Sequence, residues 1–102
     1  MPKLIVLYPP PVDAATFERR YVEEHAPMVH TKIPGLQKFV AARVVGTPAG
    51  PAPYHRVAEL YFESAESLQA AVASKGGQDT VAHAVEISTG GAPVVLIAED
   101  DK

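Results

Sequence analysis

Cysteine is absent from the 102 residues. Disulfides, thiolate metal sites and cysteine nucleophiles are therefore excluded, and the chain suits a reducing compartment. Positive charge is scarce too, with 9 Lys and Arg against 12 Asp and Glu and a net charge of −3. No basic run or stripe offers an electrostatic footprint for nucleic acid or an anionic membrane surface. Long hydrophobic runs are missing as well. The longest near the amino end, Leu4 to Tyr8, stops at Pro9-Pro10-Pro11. It is too short for a signal peptide or a membrane span and reads as a strand, so the expected location is cytoplasmic. The four histidines lack a zinc-type spacing. His25 and His30 are five apart, which scatters their rings around a helix. Neither a metal nor a cofactor is expected.

What is present fits one domain over residues 1–102, with 47% hydrophobic residues for a single core. "KLIVLY" is aliphatic and β-branched, and the three prolines end it as a stiff extended connector. Asp13 is placed to cap a helix running to about Thr31. At 100° per residue, Ala14, Phe17, Tyr21, His25 and Met28 share one arc. Pro27 is expected to tighten or kink the last turns, and Gly35 in "IPGL" suits a left-handed stop. "LQKFVAARVV" and "YHRVAELYF" read as strands joined by an exposed loop, Gly46 to Pro53, rich in glycine and proline. Ser64 caps a helix with Leu68, Ala71 and Val72 on one face. Gly76-Gly77 is read as its interruption, and a shorter helical piece follows over Asp79 to Val85. "PVVLIAE" is the last strand.

The order β-α-β-β-α-β predicts an α+β fold of the ferredoxin-like type, a four-stranded antiparallel sheet with both helices on one face. The other face then lacks cover, and the simplest cover is a second copy of the chain, a homodimer through the sheet.

Tyr21 and His25 carry the chemistry in this reading. Four residues apart, they stack on the helix face that points at the sheet. A partly buried imidazole can move a proton near neutral pH, and a phenol beside it can orient the ring or hydrogen-bond a developing oxyanion. Such a pair suits proton abstraction next to a carbonyl, or a lactone rearrangement. The plain alternative is that the two side chains satisfy each other and the loop backbone at a helix end. The other polar candidates are weaker. His30 is expected to be solvated and His55 to sit at a rim. His83, opposite Val81 and Val85, is expected at the surface. Glu24 is near enough to reach a pocket, but reads as a paired surface carboxylate. Glu59 and Tyr61 alternate with Leu60 and Phe62, so they point to the dimer side, and a buried Glu59 needs Arg43 or Arg56 as partner.

The run Tyr21-x-x-x-His25-x-Pro27-Met28-Val29, between "LIVLYP" and "PGLQKF", resembles the EthD family of dimeric α+β barrel proteins. "ELYFES" and the Leu- and Ala-rich helix after it fit the same pattern, so the resemblance spans about Leu4 to Glu99. It implies a small pocket between sheet and helices in each subunit, and a small apolar or aromatic-derived catabolite as ligand. It further implies His25 as acid and base with Tyr21 beside it, in a cofactor-free isomerase or lyase-type reaction. The same resemblance is compatible with an accessory binding protein of a degradation route. It is also compatible with a haem-binding or monooxygenase-like barrel, in which His25 would be the axial ligand. Related plant polyketide cyclases carry a tyrosine and a histidine where this chain has Ala71 and Gly77. The lactone isomerases have a tyrosine where Phe39 stands, and the missing tryptophan weakens the likeness to the quinone-forming monooxygenases. Only the first-helix histidine carries over.

Overall fold

The computed structural model describes residues 1–101. Its elements are β1 (Pro2–Tyr8), α1 (Ala14–Arg20), a π-helical turn (Tyr21–His25), α2 (Ala26–Lys32), β2 (Leu36–Arg43), β3 (Arg56–Phe62), α3 (Ala65–Ala73), α4 (Lys75–Ile87) and β4 (Val94–Glu99). The strands form one antiparallel sheet in the order β2-β3-β1-β4, the ferredoxin-like arrangement that the element order predicts. Among the described residues no helix is long and apolar enough to cross a membrane.

Alternation along the strands decides which side chains face the helices. Leu4, Val6 and Tyr8 of β1 pair with Leu60, Ala58 and Arg56 of β3 and point toward the helical layer. Leu60 and Phe62 are buried there, as the alternation of "ELYF" requires, together with Val29, Leu68 and Ala71. A second buried cluster, Tyr8, Phe17, Tyr21, Ala84 and Ile87, adjoins it. Each fully buried Phe or Leu contributes roughly 2–3 kcal/mol by leaving water.

Local sequence sets the helix ends. Asp13 accepts a hydrogen bond from the Thr16 N–H at 3.2 Å, and Ser64 and Ser67 form a reciprocal capping box. Gly35, at φ +75°, takes the left-handed position after α2. Two expectations need correction. Pro27 does not tighten the end of a helix; it sits in the first turn of α2, where its missing N–H removes no bond. The strain it would cause inside a helix is absorbed by the wide turn before it, where the Ala26 N–H reaches back to the Tyr21 carbonyl. That turn has a second effect. Buried residues recur at Phe17, Tyr21, His25 and Val29, a strict step of four that would drift around a helix of about 3.6 residues per turn. The wide turn takes up the drift, so Val29 replaces Met28 on the inner face, and Ala14 is exposed.

The second correction concerns Gly76-Gly77. The break between α3 and α4 falls at Ser74, which caps α4 by accepting from the Gly77 N–H at 3.0 Å. The glycines lie inside the first turn of α4 because nothing larger fits. A Cβ on Gly76 would stand 2.0 Å from the Lys32 carbonyl oxygen, and one on Gly77 2.0 Å from that of Ala71. Gly76 lets α4 seat directly on the end of α2, and Gly77 lets it start close against the end of α3.

Candidate functional site

A cavity of about 60 Å³ lies between the sheet and the helices, enough for several waters or a small organic group. Its walls are apolar apart from His25, Tyr8, Tyr21 and Thr80. Among the described residues no carboxylate, lysine or arginine lines it. The positions where cyclases and lactone isomerases are expected to carry polar groups, Ala71, Gly77 and Phe39, all reach this wall and leave it apolar.

His25 is 4% exposed and takes part in a chain of side chains. Its Nε2 is 3.3 Å from the Tyr8 hydroxyl, and its Nδ1 is 3.0 Å from Nδ1 of His83. The two imidazoles stack almost parallel, 11° apart in plane with centroids at 5.2 Å. His83 Nε2 lies 3.0 Å from Glu24 Oε1, and Glu24 is also held by Arg20, which reaches Glu86. Arg20 and then His83 hold the Glu24 carboxyl down at about 2, so it is an acceptor only. His83 therefore donates through Nε2 and, when neutral, presents a bare Nδ1. His25 must donate to it through its own Nδ1, which leaves His25 Nε2 as a lone pair that accepts from the Tyr8 hydroxyl. Burial, and after it the neighbouring His83, lowers His25 to about 4, so the ring is neutral at pH 7.

The expected partner of His25 needs refining. Tyr21 packs beside the ring with centroids 5.3 Å apart and borders the same cavity. Its hydroxyl bonds no atom of the described residues, although the side chain is buried, with the residue only 2% exposed. The phenol joined to His25 is Tyr8, at the end of β1. Burial pushes Tyr21 up to about 12 and raises Tyr8 further, so both remain protonated donors. Arg56 lies over the Tyr21 ring, 4.4 Å from its centroid, and is fixed by Glu18, which also meets His55 Nε2 at 2.8 Å.

The remaining candidates fall into place. His30 is exposed, meets Phe39 edge-on and does not line the cavity. His55 is half-buried against Phe17 and Glu18, also away from the cavity. His83 is not at the surface as expected, with its side chain only 14% exposed. The inner face of α4 is the reverse of the one its valines suggest: Val81 and Val85 are exposed, and the buried residues are Gly77, Thr80, Ala84 and Ile87. Glu24 is both paired and within the site's hydrogen-bond chain. Glu59 takes neither Arg43 nor Arg56; on the open sheet face it accepts from the Tyr61 hydroxyl at 2.6 Å and pairs with Lys3. Arg56 points to the other face, where Glu18 holds it.

Residues 9–86 match the EthD domain. An 11.0 kDa protein of the thcB–thcC intergenic region of Rhodococcus erythropolis is 30% identical over 98% of this chain and 96% of its own. The crystal structure of an EthD-family protein from Bacillus halodurans superposes with a TM-score of 0.92 at 34% identity, covering 99% of both chains. A dimeric ferredoxin-like protein from Jannaschia shares the fold alone, with a TM-score of 0.73 at 16% identity over 97% of this chain and 98% of the other. With the family match spanning most of its length and the Bacillus structure matching end to end, the chain belongs to the EthD family.

Proposed function

We propose that this protein binds a small, uncharged, largely apolar or aromatic-derived catabolite between sheet and helices, and that His25 acts on it as a cofactor-free base. The observation that carries this reading is the pairing of two groups on one apolar wall. His25 offers a lone pair on Nε2, and Tyr21 offers a buried hydroxyl with no partner among the described residues. A buried polar group without a partner costs about 1–3 kcal/mol, which a ligand oxygen would recover. A carbonyl oxygen on Tyr21 presents its α-hydrogen to His25 once Tyr8 yields its place. Removal of that hydrogen creates an enolate oxyanion, and the Tyr21 phenol stabilises it in a low-dielectric site. The apolar wall disfavours charged ligands, because nothing in it repays their desolvation.

Haem fits this arrangement poorly, since the cavity is far smaller than a porphyrin. Assembly belongs to the same proposal. Ile5, Leu7, Val40, Val57, Val94 and Leu96 form an apolar surface on the sheet face opposite the helices. A second copy covers it in our reading, and the dimeric Jannaschia relative supports that.

The test is hydrogen–deuterium exchange at carbon, followed by proton NMR in D₂O over a panel of small ketones, β-dicarbonyls and lactones. At least one compound is expected to exchange its α-hydrogens well above the buffer rate. Saturable binding without any exchange would make the chain an accessory binder and remove the catalytic role. Neither binding nor exchange across the panel would remove the ligand class as well.

A further inference from the structure

Base chemistry in an apolar wall meets an obstacle, because the site itself disfavours an imidazolium at His25. The hydrogen-bond chain beyond His25 offers a way around it. His25 Nδ1 faces His83 Nδ1 at 3.0 Å, and His83 Nε2 faces Glu24 Oε1 at 3.0 Å. Burial falls along the same line, from His25 at 4% exposed to the Glu24 side chain at 38%. The chain thus runs from the cavity wall to solvent.

We infer that His25, His83 and Glu24 form a proton relay that empties the cavity, with His83 as the station that takes the charge. This rests on the reading of His25 as the accepting base. When His25 Nε2 takes a proton from the ligand, its Nδ1–H bond breaks and an N–H bond forms on His83 Nδ1. His25 ends neutral in the opposite tautomer, protonated on Nε2. His83 ends as an imidazolium against the Glu24 carboxylate, where it releases its Nε2 proton toward solvent. One proton enters and one leaves, so no charge rests on His25. The negative charge in the cavity is that of the enolate oxygen held by the Tyr21 hydroxyl, and it is discharged when the same steps run in reverse to reprotonate the carbon. Glu24 remains ionised throughout, held by Arg20 and His83.

The near-parallel stacking of the two rings places the two Nδ1 atoms against each other, which a purely space-filling histidine pair would not require. Gly76 contributes from a distance, because seating α4 on the Lys32 carbonyl brings His83 up to the His25 ring. The titratable groups around the pair are Tyr8 and Tyr21 at His25, Glu24 with Arg20 at His83, and Glu86 on the same helix as His83.

The relay has a signature that needs no substrate. Protein labelled with ¹⁵N-histidine is titrated from pH 8 to 5, above the range in which His25 itself takes a proton, and the protonation of each ring nitrogen is followed by long-range ¹⁵N–¹H NMR. At high pH, His25 is expected to carry its proton on Nδ1. As His83 charges, His25 should switch to the Nε2-protonated tautomer in step with it while staying neutral. In His83→Asn, the amide oxygen still accepts from His25 Nδ1 but takes up no proton, so the switch should vanish while circular dichroism stays that of the parent. Independent titration of the two rings, a cationic His25, or a switch that persists in His83→Asn would each overturn the relay. Because the titration uses no ligand, these outcomes are separate from success or failure of the exchange panel.

Discussion

Glu18 and Glu24 project from the same continuous helical stretch, and each gathers a histidine and an arginine. Glu18 holds His55 and Arg56; Glu24 holds His83 and Arg20. The ingredients are alike, but what lies beyond each imidazole differs. His55 ends against the edge of Phe17 and borders no cavity, so its cluster ties β3 to α1 and fixes Arg56 over Tyr21. His83 continues to His25 and, through it, to the cavity wall. Residue type therefore does not separate a cluster that ends in packing from one that reaches the cavity. The connection to an apolar space holding an unsatisfied hydroxyl does.

The two clusters should come apart most strongly at Gly76. Gly76→Val would drive side-chain atoms into the Lys32 carbonyl, and the expected loss is about 3 kcal/mol in urea denaturation. In NMR spectra of this variant the hydrogen bond between His25 and His83 should be broken, while the pairing of His55 with Glu18 persists. An effect of similar size follows from pH. His25 falls from 6.5 in the unfolded chain to about 4 in the folded protein, so the unfolded state binds more protons between those values. Stability is complete above about pH 6.5 and declines as pH drops toward 4, by about 3 kcal/mol for a shift of this size. His25→Asn should flatten that part of the stability–pH curve, whereas His55→Asn should leave it sloping.

Removing Glu18 probes the structural member of the pair. Glu18→Ala leaves the buried Arg56 without its carboxylate, and the expected cost is about 2 kcal/mol by thermal or urea unfolding. Tyr21→Phe probes the orphan hydroxyl and has the smallest expected effect on folding. Stability should stay level or rise by up to about 1 kcal/mol, because an unpaired buried hydroxyl is removed. Affinity for a ligand that uses this hydroxyl should nevertheless fall about tenfold. A clear loss of stability would mean that the hydroxyl has a partner in the folded protein.

Much of this architecture is legible from side-chain period and caps. The strands, Asp13, Ser64, Gly35, and the inward faces of Leu60 and Phe62 follow from local rules that the tertiary structure leaves intact. The site is legible only in its two first-helix members, Tyr21 and His25. His25 stands in a periodic helix, but Tyr8 sits at a strand end where the prolines explain everything visible. His83 is hidden by Val81 and Val85, whose apolar character suggests the wrong inner face for α4. The true inner face is built from Gly77, Thr80 and Ala84, small residues that leave room for the cavity and carry little hydrophobic signal. The role of Pro27 is obscured for a related reason, since a π turn depends on backbone bonding and has no composition of its own. The spacing Phe17, Tyr21, His25, Val29 is its one trace, a step of four held too long for a regular α-helix.

Whether His25 does the chemistry, and not merely any histidine held by a carboxylate, is decided by one experiment. The α-hydrogen exchange of the best compound of the panel is measured in D₂O with the parent protein, His25→Asn and His55→Asn side by side. His25→Asn should fall to the buffer rate while still binding the compound, and His55→Asn should stay within about twofold of the parent. Equal rates in His25→Asn and the parent, or equal losses in both variants, would refute the assignment of His25 as the base.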